Sequence, residues 1–158
     1  MKNKTKLYRR KMEGKTDYKK RLLLLKSRKP RLVIRKSLRN IQLQLVSYSK
    51  NGDRILISSH SNQLKKFGWK HHNGNLSSAY LTGLILSLKA NSKNIKEAVL
   101  DLGLNRSVKG SVLYSALKGA TETGLNVSHS KEILPQGKII ESKEGFKETK
   151  EKILKEKW

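Results

Sequence analysis

Lysine and arginine dominate the start of this chain, and they are suited to one kind of chemistry, the binding of phosphate groups. Seventeen of the first forty residues are Lys or Arg, and only Glu13 and Asp17 oppose them. These forty residues carry +15 of the formal net charge of +24. Such charges repel one another in a free chain, whereas a nucleic acid neutralises them and releases its condensed counterions. The sequence indicates a nucleic-acid partner rather than a membrane, because no amphipathic anchor with Trp or Phe accompanies the charge.

Carboxylates are the second group of residues with chemical potential, since a metal-dependent nuclease holds its metal ions with several of them. On a strand over residues 95–102, Glu97 and Asp101 would share one face. Asp53 lies in a predicted hairpin turn and Glu122 near a predicted helix end, so we expect these carboxylates not to converge. The sequence has no Gly-rich phosphate loop, no Ser-His-Asp order and no Cys nucleophile. The prediction is a protein that is not an enzyme and has no small-molecule substrate.

The adjacent pair His71 and His72 is a pattern that could suggest a metal site. Zinc sites are built from several Cys, His or acidic ligands, but the chain has no cysteine and no carboxylate cluster beside this pair. We therefore expect no metal and no cofactor, and a loop that contacts RNA or solvent. The lack of cysteine also favours a reducing compartment. The first residues contain no apolar stretch like a signal peptide, so the expected location is the cytoplasm.

The elements that must position these residues follow from the spacing of apolar side chains. Pro30 ends the first helix, and Asn51-Gly52-Asp53 is a strong hairpin signal between two strands. The predicted elements are a helix over 17–27, strands over 31–36, 41–46 and 54–59, a helical turn over 62–67, a helix over 75–89, a strand over 95–102, a helix over 111–123, a short strand over 125–129 and an exposed helix over 141–158.

The order of these elements predicts the fold class. Three consecutive strands form an antiparallel meander, and a strand that follows a helix favours parallel pairing through a right-handed crossover. The result is an α/β domain, a mixed sheet with helices packed on it in the order β-β-β-α-β-α. We divide the chain into a basic N-terminal arm (1–29), an α/β core (30–129) and a charged C-terminal extension (130–158).

Packing within the helices can also be anticipated. Gly83 interrupts a helical pattern, which indicates close packing against a neighbour. In the last helix Phe146, Ile153 and Leu154 are available for docking onto the core.

Aromatic residues near the cations suit stacking on unpaired bases. Tyr8, Tyr18 and Trp69 are the candidates. Tyr18 has an alternative, because Tyr18, Leu22 and Leu25 share one stripe of the arm helix and can pack together. Trp69 has the alternative of a buried hydrophobic plug. The sequence leaves these alternatives open.

Four stretches of the chain form a longer pattern when they are taken in order. The stretches are GKTDYKKRLLLLKSRKPRLVIRKSLRNI (14–41); LKKFGWK (64–70) with a following GN and AYLTGL (79–84); EAVLDLGL (97–104) with KGS (109–111) and ALKGA (116–120); and GLNVSH (124–129) with EILP (132–135). Together these stretches resemble a known family, the archaeal-type large-subunit ribosomal protein L-eighteen, whose eukaryotic counterpart is L-five. The resemblance covers about residues 8–136, and the segment past Pro135 matches little.

The resemblance implies a ribonuclease-H-like sheet, no catalytic activity and a place in the large ribosomal subunit. It implies 5S rRNA as the partner, anchored to the large-subunit rRNA in the central protuberance beside neighbouring ribosomal proteins. The implied RNA contacts are Arg9, Arg10, Lys11, Gly14, Lys15, Thr16, Tyr18 and Arg21 in the arm, then Arg31, Arg35, Lys36, Ser37, Arg39 and Asn40 in the first strand and turn, and Lys70, Gly74, Asn75 and Lys109 in loops. A non-ribosomal RNA-binding or RNA-chaperone module is the alternative that composition alone leaves open.

Overall fold

The computed structural model describes residues 7–156 and Trp158 of the chain. The α-helices are α1 (Arg9–Met12), α2 (Tyr18–Lys26), α3 (Leu76–Ser92), α4 (Val112–Glu122), α5 (Gly137–Ile140) and α6 (Phe146–Lys155). The strands are β1 (Arg31–Lys36), β2 (Ile41–Ser47), β3 (Arg54–His60), β4 (Glu97–Asp101) and β5 (Asn126–Val127). Two 3₁₀ helices cover Ser61–Phe67 and Lys131–Ile133. Each predicted element is present, with ends that differ by a few residues.

The five strands form one mixed sheet in the order β3-β2-β1-β4-β5. The β1, β2 and β3 strands pair antiparallel, while β4 pairs parallel with both β1 and β5. The β1 strand is central because its β-branched and leucine side chains suit a position with a neighbour on each side. The predicted α/β class and mixed sheet are confirmed.

The two faces of β1 differ in chemistry. Leu32 and Ile34 are fully buried and point toward α3 and α4, where they join the main hydrophobic cluster. Arg31 and Arg35 alternate with them and therefore lie on the opposite face, which we call the outer face of the sheet. The alternation thus separates an apolar interior from a surface that carries arginine.

The α3 helix is apolar on nearly all sides because it lies between two hydrophobic clusters. Ala79, Leu86 and Ala90 pack against the sheet and α4, whereas Leu81 and Leu84 pack on the opposite side. Its first turn is capped by Asn75, whose side chain accepts a hydrogen bond from the backbone N–H of Ser78 at 2.7 Å.

Glycines allow α3 and α4 to approach closely. A Cβ added at Gly83 would collide with the carbonyl oxygen of Ala116, and one added at Gly119 would collide with that of Tyr80. The prediction that Gly83 marks close packing is confirmed. Any larger residue at either position would force the two helices apart.

The C-terminal extension joins the second hydrophobic cluster. Phe146 and Ile153 of α6 are buried beside Leu64, Trp69 and Tyr80. The docking predicted for Phe146 and Ile153 is confirmed. The docking predicted for Leu154 is wrong, because Leu154 lies on the solvent side of α6. The spacing of seven residues places Phe146 and Ile153 on one stripe, and Leu154 is one position away from that stripe.

The N-terminal arm is attached differently, since α2 has no buried residue. Tyr18, Arg21, Leu24 and Leu25 are half-buried, whereas Leu22 is exposed. The predicted stripe of Tyr18, Leu22 and Leu25 is therefore wrong at Leu22. The polar side chain of Arg21 occupies the inward face instead, because it finds a carboxylate there. Within the described part of the chain, no helix is both long and apolar enough to cross a membrane.

Candidate nucleic-acid interface

The arm and the outer face of the sheet enclose a cleft with a volume of about 710 Å³. We call it the arm cleft. The α2 helix and the residues before it form one wall, and β1, the β2–β3 turn and the loop after β4 form the other. Seven of the residues for which RNA contact was predicted line it: Arg10, Lys15, Thr16, Tyr18, Arg21, Arg31 and Arg35. Residues far apart in the sequence thus meet at one cationic surface.

A chain of five charged side chains forms the base of the cleft. Asp53 accepts from Arg21 Nη2 at 2.8 Å and from Arg31 Nη2 at 2.6 Å. Asp101 accepts from Arg31 Nη1 at 2.7 Å and from Arg35 Nη2 at 3.0 Å. Three guanidinium groups and two carboxylates are therefore linked in one network. Since the positive charges outnumber the negative ones, the cleft keeps a net positive potential.

This network corrects one expectation. The carboxylates of Asp53 and Asp101 do converge, because the β2–β3 turn lies beside the end of β4, and both hold the guanidinium group of Arg31. Glu97 and Glu122 lie apart from them and pair with Lys29 and Lys150. In the described ranges, no group of three or more His, Asp or Glu side chains is arranged to hold a metal ion.

Asp101 is the buried acid of the network. Burial raises its pKa, but the hydrogen bond and charge of Arg35, the backbone N–H of Gly103 and the hydrogen bond from Arg31 together outweigh burial. The pKa of this carboxyl therefore lies below its ordinary value. Asp101 stays ionised at neutral pH and keeps Arg31 and Arg35 in fixed positions.

Arg31 holds an interior position. Arg31 is only 3% exposed to solvent, and its Nη1 and Nη2 atoms donate hydrogen bonds to Asp101 and Asp53. Its Nε is buried without a hydrogen-bond partner. Arg35 is more accessible, and besides Asp101 Oδ1 it donates to the Asp101 carbonyl at 2.7 Å. The two arginines, although four residues apart on the same face of one strand, thus differ in their access to an outside ligand.

The arm in front of α2 forms its own local contacts. Arg10 Nε donates to Thr16 Oγ1 at 2.9 Å, and Asp17 caps α2 by accepting from the backbone N–H of Lys20 at 3.1 Å. Gly14 has a φ of +62°, which allows the chain to turn between α1 and α2. These contacts form a compact loop that presents exposed cations.

Glu13 balances part of the positive charge in the arm. Hydrogen bonds from Lys15 and then Arg9 hold the pKa of Glu13 below its ordinary value. Arg9 and Lys11 are exposed to solvent. The rings of Tyr8 and Tyr18 lie 5.2 Å apart between centroids, so the tyrosines pack on each other. For Tyr18 the structure favours packing, although its partner is Tyr8 and not Leu22.

The β1–β2 turn forms a second cationic feature. The backbone N–H of Ser37 donates to the carbonyl of Asn40 at 2.8 Å, and that of Asn40 donates to Ser37 Oγ at 3.0 Å. Ser61 Oγ donates to Asn40 Oδ1 at 3.2 Å. Ser37 and Asn40 thus use their polar groups to close the turn. The turn presents Lys36 and Arg39 to solvent, with Leu38 between them at 95% exposure.

The loop before α3 lies beside this turn. A Cβ added at Gly74 would lie 3.2 Å from the carbonyl oxygen of Leu38, which places the two segments in contact. His72 Nδ1 accepts from the backbone N–H of Gly74 at 3.0 Å, while Asn75 is engaged as the cap of α3. Lys70, which precedes His71 and His72 in the sequence, is exposed to solvent. The backbone of this loop is thus held in place by its own side chains.

Lys109 lies in the loop before α4, and it does not line the arm cleft.

Trp69 is 4% exposed within the second hydrophobic cluster, so the stacking alternative for Trp69 is wrong and the alternative of a buried hydrophobic plug is correct. His71 Nε2 lies 3.0 Å from the carbonyl oxygen of Glu144, which ties this loop to the extension.

Sequence reasoning missed several residues of the cleft. Lys20 lines it and donates to the carbonyl oxygen of Gly103 at 3.0 Å, and its position one helical turn after Thr16 was an available signal. A second missed cation, Arg106, lies outside the arm cleft and lines a smaller cavity of about 160 Å³ together with Lys36. Asp53 and Asp101 were considered only as metal ligands. Their role in holding arginines depends on tertiary contacts that no local sequence pattern predicts.

The fold and this surface define a basic α/β protein in which cations of the arm and of the first strand line one cleft. Residues 2–97 match the family described as ribosomal large subunit proteins 60S L5, and 50S L18. The chain is 52% identical over 127 residues to the large ribosomal subunit protein uL18 of Methanococcus maripaludis. The match covers 80% of this chain and 66% of that relative. The chain belongs to this family of large-subunit ribosomal proteins.

Proposed function

We propose that the protein is a structural constituent of the large ribosomal subunit that binds 5S rRNA. In this proposal it works in the cytoplasm and helps to anchor 5S rRNA to the large rRNA in the central protuberance. The observation that carries the proposal is the arm cleft, where cations of the arm and of β1 meet in a chain of this family. The partners are 5S rRNA, large-subunit rRNA and neighbouring ribosomal proteins.

The candidate residues fall into three groups in this proposal. Exposed cations contact phosphates directly, because a flexible Lys or a planar Arg side chain at the surface can replace condensed counterions. These are Arg9, Arg10, Lys11, Lys15, Lys36, Arg39 and Lys70. A second group of candidates shapes the surface, since their polar groups are engaged within the protein or they set the course of the backbone. These are Gly14, Thr16, Arg31, Ser37, Asn40, Gly74 and Asn75.

Tyr18, Arg21, Arg35 and Lys109 complete the proposed interface. Arg21 and Arg35 keep donors beyond those used by the carboxylates, because a guanidinium group has five N–H bonds. A folded RNA is recognised through its shape, its phosphates and its 2′-hydroxyl groups, so an arrangement of positioned donors suits it.

The proposal also includes a non-enzymatic role. Asp53 and Asp101 are engaged by arginine, so the two carboxylates that meet in the cleft hold a guanidinium group rather than a catalytic metal. We further propose that the sheet is of the ribonuclease-H-like type, which three antiparallel strands followed by parallel ones support. The division into arm (1–29), core (30–129) and extension (130–158) belongs to the same proposal.

The test is the salt dependence of binding to a 5S rRNA transcript, measured by filter binding. If about ten cations meet phosphates, the slope of log K against log salt is about −7 to −9. A triple change of Arg9, Arg10 and Lys11 to Gln makes that slope shallower by about 2 to 3. The matched control changes the exposed Lys143, Lys147 and Lys155 of the extension to Gln and leaves the slope unchanged.

A wild-type slope shallower than about −3 contradicts an electrostatic interface of this size. Equal effects of the two triple variants contradict the assignment of the interface to the arm. Deletion of residues 1–15, of which 1–6 lie outside the described residues, should weaken binding strongly and leave the core folded. Co-sedimentation with large subunits separates this proposal from a non-ribosomal RNA-binding or RNA-chaperone module.

A further inference from the structure

We propose that Asp53, an acidic residue inside a cationic interface, increases RNA affinity because it holds α2 in its binding position. The inference rests on the proposed function for its RNA readout. Asp53 lies in the β2–β3 turn, and its side chain reaches both the arm and the sheet. It acts through Arg21 and Arg31, so it is a positioning residue and not a contact to RNA.

The first step of the argument is the weak attachment of α2. The helix has no buried residue, and nine residues in isolation do not form a stable helix in water. Its apolar side chains Tyr18, Leu24 and Leu25 are no more than half-buried. Its position must therefore depend on polar contacts to a greater extent than the position of α3 or α4.

The second step is the small number of those polar contacts. Arg21 Nη2 lies 2.8 Å and 2.9 Å from the two carboxylate oxygens of Asp53. Among the residues that the structure describes, this is the one ion pair between α2 and the sheet. Lys20 adds a hydrogen bond to the carbonyl of Gly103 at 3.0 Å. Asp53 thus supplies the carboxylate of the ion pair that attaches α2 to the sheet.

The third step is the rigidity of Asp53 itself. Its Oδ2 also accepts from Arg31 at 2.6 Å, and Arg31 is fixed in turn by buried Asp101. The β2–β3 turn, β1 and β4 are therefore joined at the same point that holds Arg21. A charged hydrogen bond to an already fixed carboxylate orders Arg21 more than one to a mobile surface acid does.

The fourth step is the sign of the expected effect. Removal of a negative charge from a surface that binds phosphate should increase RNA affinity by Coulomb attraction alone. Loss of the α2 attachment has the opposite effect, because RNA must then order the arm at the moment of binding. The two explanations of Asp53 therefore predict changes of opposite direction.

The experiment compares Asp53→Asn with Glu97→Gln. Each substitution removes one negative charge, but Glu97 pairs with the exposed Lys29 at 2.6 Å and does not touch α2. Binding to a 5S rRNA transcript is measured at one fixed salt concentration. Asp53→Asn should raise Kd about tenfold, whereas Glu97→Gln should leave Kd unchanged or lower it slightly. An unchanged or lower Kd for Asp53→Asn overturns the proposal.

Limited trypsin digestion of the free protein provides a readout without RNA. The α2 helix contains Lys19, Lys20, Arg21 and Lys26, so its release exposes several cleavage sites. Digestion within α2 should be about tenfold faster in Asp53→Asn than in wild type, since cleavage follows the population of the detached helix. Equal rates for the two proteins overturn the proposal. If wild type does not bind 5S rRNA, the proposed function fails while this readout still decides the role of Asp53.

Arg21→Gln keeps the test informative if Asp53→Asn does not fold, because it removes the same ion pair from the arm side. It should also raise Kd and accelerate digestion of α2. In the double variant the losses should not add, since both single changes remove one attachment. Full additivity of the two effects on Kd would mean that Asp53 and Arg21 act on RNA binding without coupling to each other, which also overturns the proposal.

Discussion

The two ends of the chain use opposite means to join the same α/β core. The N-terminal arm places α2 on the outer face of the sheet with no buried residue and is held by charged contacts such as Arg21–Asp53. The C-terminal extension places Phe146 and Ile153 of α6 into a hydrophobic cluster. Both ends are rich in charged residues, so the number of charges alone does not distinguish their modes of attachment.

The charge balance of each end explains the difference. The extension has eight Lys and six Glu over residues 130–158, and its apolar residues recur at helical spacing. Its charges are nearly balanced, which lets α6 pack without strong repulsion. The first forty residues have an excess of +15 and cannot be neutralised by the protein itself. The extension is therefore part of the stable fold, whereas the arm is suited to a polyanion.

The largest expected effect is on the extension side of this comparison. Phe146 is 2% exposed, and its ring lies 5.6 Å from that of Tyr80. Phe146→Ala should lower the free energy of unfolding by about 3 to 4 kcal/mol, because it leaves a cavity in the second hydrophobic cluster. Urea denaturation measures this change. A loss below about 1 kcal/mol would mean that the extension is attached as loosely as the arm.

The next effect concerns the buried acid beneath the arm. Asp101→Asn should destabilise the protein by about 3 kcal/mol, because Arg31 and Arg35 lose a charged partner. The lowered pKa of Asp101 also predicts how the stability that this residue contributes changes with pH. Its contribution is complete above the ordinary value of 3.8 and is lost as pH falls through the lower pKa of the folded state.

Thermal melting of wild type and Asp101→Asn between pH 7 and pH 2 measures this dependence. The stability difference between the two proteins should be constant near neutral pH and should shrink at the acidic end. A difference that grows with acidity would contradict the sign of the pKa shift. Glu13→Gln is the control, because Glu13 is a solvent-exposed acid whose pKa is also lowered but which supports no buried arginine.

The smallest effect is expected on α2. Leu23 is 64% exposed, so Leu23→Ala should change the free energy of unfolding by less than about 0.5 kcal/mol. The same urea titration used for Phe146→Ala measures it. A loss comparable to that of Phe146→Ala would show that α2 is packed as firmly as α6 and would remove the contrast between the two ends.

Local patterns were sufficient to predict most of the elements. The predicted helices over 17–27 and 75–89 begin at the residues that cap them in the structure, Asp17 and Asn75, and the Asn51-Gly52-Asp53 turn joins the expected strands. Capping and turn formation involve neighbours in sequence, so local patterns can predict them. Gly83 was correctly linked to close packing. The seven predicted RNA contacts that line the arm cleft could be named from the sequence, since the family motif and the density of cations are both visible there. Their contact with RNA stays a prediction.

Other parts of the site could not be predicted in the same way. The meeting of Asp53 and Asp101 at Arg31 joins three segments separated by many residues, and their register depends on the whole sheet. The burial of Trp69 depends on Phe146 and Ile153 of α6, which lie far from Trp69 along the chain. A local sequence pattern therefore cannot predict it. The exposure of Leu22 depends on the rotation of α2 that brings Arg21 to Asp53.

The sequence by itself determined the positive charge, the order of the strands and helices, and the family to which the chain belongs. Each of these depends on composition or on residues close together along the chain. The tertiary structure decided which arginines face solvent and which are held by carboxylates, and which end of the chain shares the hydrophobic interior. These outcomes depend on contacts between distant segments, and the free energy of such contacts exists only once the sheet and its helices have assembled.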